Sequence, residues 1–259
     1  MKTIRTILLM MPVLMITGVA SAQEYKLAVQ NPKDTRLVLK DFSGQLPVEG
    51  YNGTEIVITS NSGRFEPPEK AKGLKPIFPG GTDNTGIGLE VLKSDNLVKI
   101  TCLVPFTQDA EYKIKVPENL SLEMSSGCER SNDITITGMK NEIDINSCHD
   151  INLKNISGPV VLSTISGDIN ITYSSVSAAK ATSVNSVSGD IDITLPVKTA
   201  VDLELRTVTG AFYSDFDFSQ TQKDLKRIGG NEMNYSLNGG GFKFTVGTVS
   251  GNIYLRKGI

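Results

Sequence analysis

The chain has no tryptophan, one histidine, three cysteines and 6% aromatic residues in 259. With His149 as the sole imidazole, a Ser-His-Asp triad has only one possible centre. Its neighbour Asp150 points to the opposite face of any strand the two share, so it cannot orient the ring. No Gly-x-Ser-x-Gly phrase marks a nucleophile elbow. A zinc site built from Cys128, Cys148 and His149 meets the same objection, because adjacent strand residues do not converge on one point. Without tryptophan and with only seven tyrosines, no aromatic platform for sugar is visible. Basic and acidic side chains are mixed and nearly balanced, 26 against 28, and no basic patch follows the chain, which excludes a nucleic-acid partner. Beyond residue 22 no window is apolar for long enough to form a transmembrane helix. Sustained apolar spacing of three and four is also missing, and the only plausible helical turn is the charged stretch Gln222 to Arg227.

What is present begins with an export signal. Lys2 and Arg5 precede the apolar stretch Ile7 to Ala20, which runs into Ala20-Ser21-Ala22, the small-x-small pattern that a signal peptidase accepts. Cleavage after Ala22 leaves Gln23 as the new N-terminus, and no cysteine follows to carry a lipid anchor. The expected location is therefore the periplasm, the outer surface or the medium. The organisation expected is a signal peptide over 1–22, a β-region over 23–116 and a β-repeat stack over 117–259, the last two packed as one continuous domain.

A short phrase recurs through the second half: Ile165-Ser166-Gly167-Asp168-Ile169, Val187-Ser188-Gly189-Asp190-Ile191, Val208-Thr209-Gly210-Ala211-Phe212, Ile228-Gly229-Gly230-Asn231 and Val249-Ser250-Gly251-Asn252-Ile253. Its steps are 22, 21, 20 and 21 residues. A second series, at Ile136-Thr137-Gly138, Ile156-Ser157-Gly158 and Val176-Ser177-Ala178, is interleaved with the first. Fixed-period self-similarity near twenty residues marks a stacked repeat whose units bury their apolar faces against their neighbours. The predicted fold is all-β, a β-solenoid with about 20–22 residues per coil; a β-sandwich is the alternative. Period-two alternation puts Ile165, Gly167, Ile169 and Ile171 on the inward face and Ser166, Asp168, Asn170 and Thr172 outside, with Val187 and Val249 inward in the later copies. The recurrent glycine fits a corner, or an approach of the next coil too close for a Cβ.

The first half shows strand-like runs at Leu37 to Leu39, Glu55 to Thr59, Leu89 to Leu92 and Leu97 to Leu103, with a looser period that suits a cap over an open stack end. Between Phe65 and Gly88, Pro67-Pro68, Pro79-Gly80-Gly81 and Asn84-Thr85-Gly86 describe a long loop, a place where binding residues concentrate. Its apolar members Ile77, Phe78 and Ile87 are expected to fold back over the core.

Cys128 and Cys148 share a register, each ten residues before a glycine. On neighbouring coils they lie within disulfide reach; equally, both fit as small buried fillers. Cys102 reads as a buried thiol. Asp168, Asp190 and Asp192, with Asn231 and Asn252 in the later copies, would line one edge of the stack. Such carboxylates could hold calcium, share a proton or serve glycoside hydrolysis; the plainer reading is turn chemistry on a wet face, with no metal or cofactor.

The Val-Ser-Gly-Asp-Ile phrase at this period, together with Tyr112-Lys113-Ile114-Lys115-Val116-Pro117 leading into the repeats, resembles the "putative adhesin" family of exported bacterial β-repeat proteins, domains of unknown function common in Bacteroidetes. Asp83-Asn84-Thr85-Gly86 resembles its bacteroidete members. The resemblance covers the chain after the signal, most strongly from Val116 onward, and departs from the pattern at Ala211-Phe212 and Gly229-Gly230. It implies a right-handed, single-stranded β-solenoid or a closely related stacked β-fold, at the cell surface or in the periplasm. The leading expectation, from the long polar β-face such a stack presents, is a non-enzymatic adhesin or interaction module acting on an unknown protein or glycan at a cell surface. The competing expectation is a carbohydrate-active β-helix, a polysaccharide lyase or glycoside hydrolase.

Overall fold

The computed structural model describes residues 23–60, 69–71, 73–74, 77–105, 110–129, 133–177, 180–218 and 230–258. The export signal and the candidate helical turn at 222–227 lie outside them. The described chain is all β apart from two short 3-10 turns, Pro32–Asp34 and Glu69–Ala71.

Among the described residues the strands form two ten-stranded sheets. In spatial order the first contains Gln23–Ala28, Glu55–Ser60, Tyr112–Pro117, Leu46–Tyr51, Ile134–Thr137, Ile151–Ile156, Ile169–Tyr173, Ile191–Pro196, Ile253–Gly258 and Phe212–Ser214. The second contains Asn231–Leu237, Val201–Thr209, Phe242–Ser250, Thr182–Ser188, Val160–Ser166, Ile143–Ser147, Ser121–Ser125, Arg36–Lys40, Leu97–Cys102 and Leu89–Ser94. One strand of the second sheet followed by one of the first forms a rung, and successive rungs pair in parallel on both sides. This is a β-solenoid-like stack.

Register explains why these residues hold it together. Leu46, Ile134, Ile151, Ile169, Ile191 and Ile253 lie side by side on six neighbouring strands, and Val48, Ile136, Leu153, Ile171, Ile193 and Leu255 form the next row. All twelve are buried within one apolar cluster that runs the length of the molecule. Burying each such side chain contributes about 1.5–3 kcal/mol, so the rows dominate the stability of the stack.

Stacking does not follow chain order throughout. Four rungs between Ser121 and Pro196 are sequential, but the last rung, Phe242–Gly258, sits between the rung ending at Pro196 and the rung Val201–Ser214. At the other end Arg36–Tyr51 sits between the rung starting at Leu97 and the rung starting at Ser121. Antiparallel strands close the stack: Glu55–Ser60 and Gln23–Ala28 on the first sheet, Leu89–Ser94 and Asn231–Leu237 on the second. The region before 116 thus supplies two full rungs as well as covering strands.

The alternation expected across the repeat phrase holds on one side of the glycine only. Ile169, Ile191 and Ile253 point inward, but Ile165, Val187 and Val249 are about half exposed. The corner resets the phase, because the strand before it already buries Leu162 and Thr164, or Val184 and Ser186, and so turns the next residue outward. In the long loop, Phe78 and Ile87 are buried as expected, whereas Ile77 is 95% exposed, its neighbour Phe78 having taken the inward direction.

Candidate functional site

The corner between the two sheets carries the repeat phrase. Gly167, Gly189 and Gly251 have φ of +130°, +137° and +149°, a region that side-chain-bearing residues avoid. A Cβ on Gly189 would stand 2.1 Å from the carbonyl oxygen of Gly167, and one on Gly251 would stand 2.1 Å from that of Gly189. Both needs, the turn and the close approach, fall on the same atom. Just inside the corner a row of small hydroxyl residues, Thr164, Ser186, Thr248 and Thr207, is buried. Thr248 Oγ1 donates to the carbonyl of Gly189, and Thr207 Oγ1 to that of Gly251.

Just past the glycines the acids form a ladder of hydrogen bonds. Asp150 Oδ1 accepts from the amide of Asp168 (2.8 Å), Asp168 Oδ1 from the amide of Asp190 (2.8 Å), Asp190 Oδ1 from the amide of Asn252 (2.7 Å), and Asn252 Oδ1 from the amide of Ala211 (3.1 Å). Each carboxylate is therefore used to cap the next rung, which is what an Asp after Gly does in a turn. Asp150, which the sequence offered only as a poor partner for His149, is the first described member of this ladder. Asn231 does not belong to it: it opens the covering strand and its amide donates to the carbonyl of Gly210. Ala211 is the last described rung of the ladder, where a side-chain acceptor has no further amide to meet. The departure from the repeat at that position is thus explained by its place in the stack.

Asp192 lies elsewhere, on the outer face of the first sheet. There the register aligns Asn152, Asn170, Asp192, Tyr254 and Tyr213 in one row across five strands. Asn170 Nδ2 donates to Asn152 Oδ1 (3.1 Å). Asp192 takes Arg256 in a two-point contact, with Nε at 2.8 and 2.9 Å and Nη2 at 2.7 Å. The Arg256 guanidinium lies 5.6 Å from the Tyr254 ring centre, and Tyr213 stacks on Tyr254 with centroids 5.2 Å apart and planes 15° apart. Asp192 holds the Arg256 pKa above its ordinary range, first by their hydrogen bond and then by charge. The Tyr254 hydroxyl is shifted upward, first by burial and then by the charge of Asp190. The structure therefore corrects the reading that no aromatic platform exists: two tyrosines 41 residues apart are brought together by the inserted last rung.

Cys128 and Cys148 are joined, with Cα atoms 5.1 Å apart on neighbouring rungs. Cys102 is buried and takes no part in a disulfide. His149 keeps Nε2 buried, and its backbone amide donates to Ser147 Oγ. Among the described residues no three or more His, Cys, Asp or Glu side chains converge as metal ligands would. In the described part of the long loop, Asp83 accepts four hydrogen bonds from Thr85, Gly86 and Gly88, and Asn84 pairs with both backbone groups of Val91, fixing this segment onto strand Leu89–Ser94. At the opposite corner a depression of about 350 Å³ is lined by Val176, Pro196, Lys198 and Phe242 among others.

The family model described as Toastrack DUF4097 matches residues 10–256. Among solved structures, a "putative cell adhesion protein" from Clostridium sporogenes is 14% identical, with a TM-score of 0.42, covering 92% of this chain and 100% of that one. A "putative adhesin" from Bacteroides fragilis is 12% identical, with a TM-score of 0.40, covering 92% and 98%. No curated protein matches the chain.

Proposed function

The chain belongs to the Toastrack DUF4097 family, and from that premise we propose that it is an exported, non-enzymatic interaction module of the adhesin type. The observation that carries this reading is the outer row Asn152, Asn170, Asp192, Tyr254 and Tyr213, polar and aromatic side chains held in register on a stiff parallel sheet. Such a face is flat and extended, suited to a partner that is itself long rather than to a small molecule sunk in a cleft. The acid ladder works against a hydrolytic reading, since the carboxylates of Asp150, Asp168 and Asp190 are engaged with backbone amides. The joined Cys128 and Cys148 suit an oxidising compartment outside the cytoplasm, whether periplasm, outer surface or medium. The coil is right-handed in this reading, as parallel crossover connections are almost without exception.

The test is adhesion of residues 23–259 to bacterial and epithelial cells and to mucin, run beside a turnover assay on host and plant polysaccharides. Retention without cleavage is expected. Measurable cleavage would replace this reading by that of a carbohydrate-active β-helix, and absence of retention on every surface would refute it.

A further inference from the structure

We propose that the outer row ending in Tyr213 and Tyr254 is a binding site for an uncharged, extended glycan chain lying across the strands, a proposal that rests on the interaction-module reading. Three features of the row point to this chemistry.

The first is preorganisation. Tyr254 packs against both the Tyr213 ring and the Arg256 guanidinium, and Arg256 is fixed by Asp192. An aromatic group already immobilised loses little freedom when a ligand packs on it. Tyr213 is 53% exposed at the end of the sheet, on its short last strand, so its ring is open to a partner. Aromatic rings with a polar hydroxyl suit a sugar ring, which offers C–H groups on its faces and hydroxyls at its rim.

The second is the supply of hydrogen-bonding groups. Asn170 and Asn152 use one donor and one acceptor on each other, which leaves Asn170 Oδ1 and Asn152 Nδ2 without a partner among the described residues. An acceptor and a donor beside an aromatic pair match the hydroxyls of a neutral sugar, which both donate and accept. The row carries one charge of its own, Asp192, and Arg256 cancels it. An acidic glycan would find no positive row here, whereas an uncharged one loses nothing on docking.

The third is spacing. Neighbouring strands lie about 4.8 Å apart, so the five residues span about 19 Å. That pitch is close to the advance of one sugar along an extended β-linked glycan, so successive sugars meet successive side chains. The site is a strip for a polymer.

The experiment is calorimetric or affinity-electrophoretic titration of residues 23–259 with cellohexaose and chitohexaose as neutral probes and polygalacturonate and heparin as acidic ones. Binding to a neutral hexasaccharide is expected, insensitive to salt, and reduced about tenfold or more by Tyr213→Ala, the loss typical of a truncated aromatic anchor. Asn170→Ala should weaken it by a smaller factor while leaving the thermal midpoint unchanged. Because Asn152 and Asn170 lie on the outer face, their variants keep the test alive should Tyr213→Ala fail to fold. Exclusive, salt-sensitive binding of the acidic probes would overturn the proposal, as would neutral binding unaffected by Tyr213→Ala and Asn170→Ala. Cell retention without glycan binding would overturn it and leave the interaction-module reading standing; failure of both assays would remove both.

Discussion

The central rungs and the terminal rungs are built from the same kind of strand but are threaded differently. Between Ser121 and Pro196 each turn of chain lands on the one before it; at each end the first or last rung is slipped in one place from the outside. The contrast shows that the apolar rows set the contents of a rung but not its place. Ile253 fits between Ile191 and Phe212 as well as any sequential neighbour would. Threading the ends inward has a physical consequence: the last rung is held by a parallel strand on both sides, and three of the four sheet ends are left to antiparallel strands, the fourth being the short parallel strand Phe212–Ser214, so the chain's last rung is not the one that frays.

The largest expected effect comes from removing the inserted rung. A chain ending at Gly239 loses Phe244, Val246, Ile253 and Leu255 from the core and leaves the rung Val201–Ser214 without its parallel neighbour on either sheet. It should lose its cooperative thermal transition, and a peptide covering 240–259 added in trans should restore part of it. A transition retained by the truncated chain would mean that Val201–Ser214 can close directly onto Thr182–Pro196.

Next come the corners. Gly251→Ala places a Cβ against the backbone of Gly189 in a conformation with φ of +149°, and should destabilise by about 4 kcal/mol or more in urea unfolding. Gly44→Ala, at φ of +77° with open space around it, should lose only about 1 kcal/mol. Equal effects would show that the close approach is not what requires glycine.

Smaller still is the ladder. Asp190→Ala removes the acceptor for the Asn252 amide and should cost about 1–2 kcal/mol by the same measurement. Ala211→Asp, at the last rung, should be neutral, because no described amide lies beyond it to be capped. A stabilising Ala211→Asp would place another rung or a partner there.

The smallest effect concerns charge on the outer face of the second sheet. Glu204 hydrogen-bonds Lys243 and also pairs with Arg206, and the Lys243 bond leads in holding its carboxyl below the ordinary range. A carboxylate whose folded pKa is depressed contributes stability above its unfolded value and loses it as pH falls through the folded one. The unfolding free energies of the native chain and Glu204→Gln should therefore differ slightly at neutral pH, by about 0.5 kcal/mol, and converge as the pH falls through the depressed folded pKa of the carboxyl. A difference that persists in acid would assign the contribution to packing.

Much of this was legible in the residues. The pairs Ile169 and Ile171, Ile191 and Ile193, and Ile253 and Leu255 follow the period of two and are buried where it places them. The glycine was readable as a corner or a close approach because it recurs at a fixed period, and the fold makes it both. Ile165, Val187 and Val249 were misassigned because alternation is a property of one strand, and the phrase that contains them crosses from one sheet to the other. Asp168, Asp190 and Asp192 looked alike in sequence, yet two of them cap amides at the corner and the third steadies Arg256 on the face. The aromatic pair was invisible for a different reason: Tyr213 and Tyr254 meet only because the last rung is inserted.

The amino-acid order alone determined what a rung is made of: alternating aliphatic residues, a glycine at the turn and an acid or amide after it. These are local demands of strand, corner and cap, each met within a few residues. Only the folded molecule decided which rung lies on which, and with it the row that joins two tyrosines to two asparagines. Near-identical rungs offer near-identical surfaces, so nothing in the repeat itself distinguishes one neighbour from another; the choice falls to the whole chain and the packing of its ends.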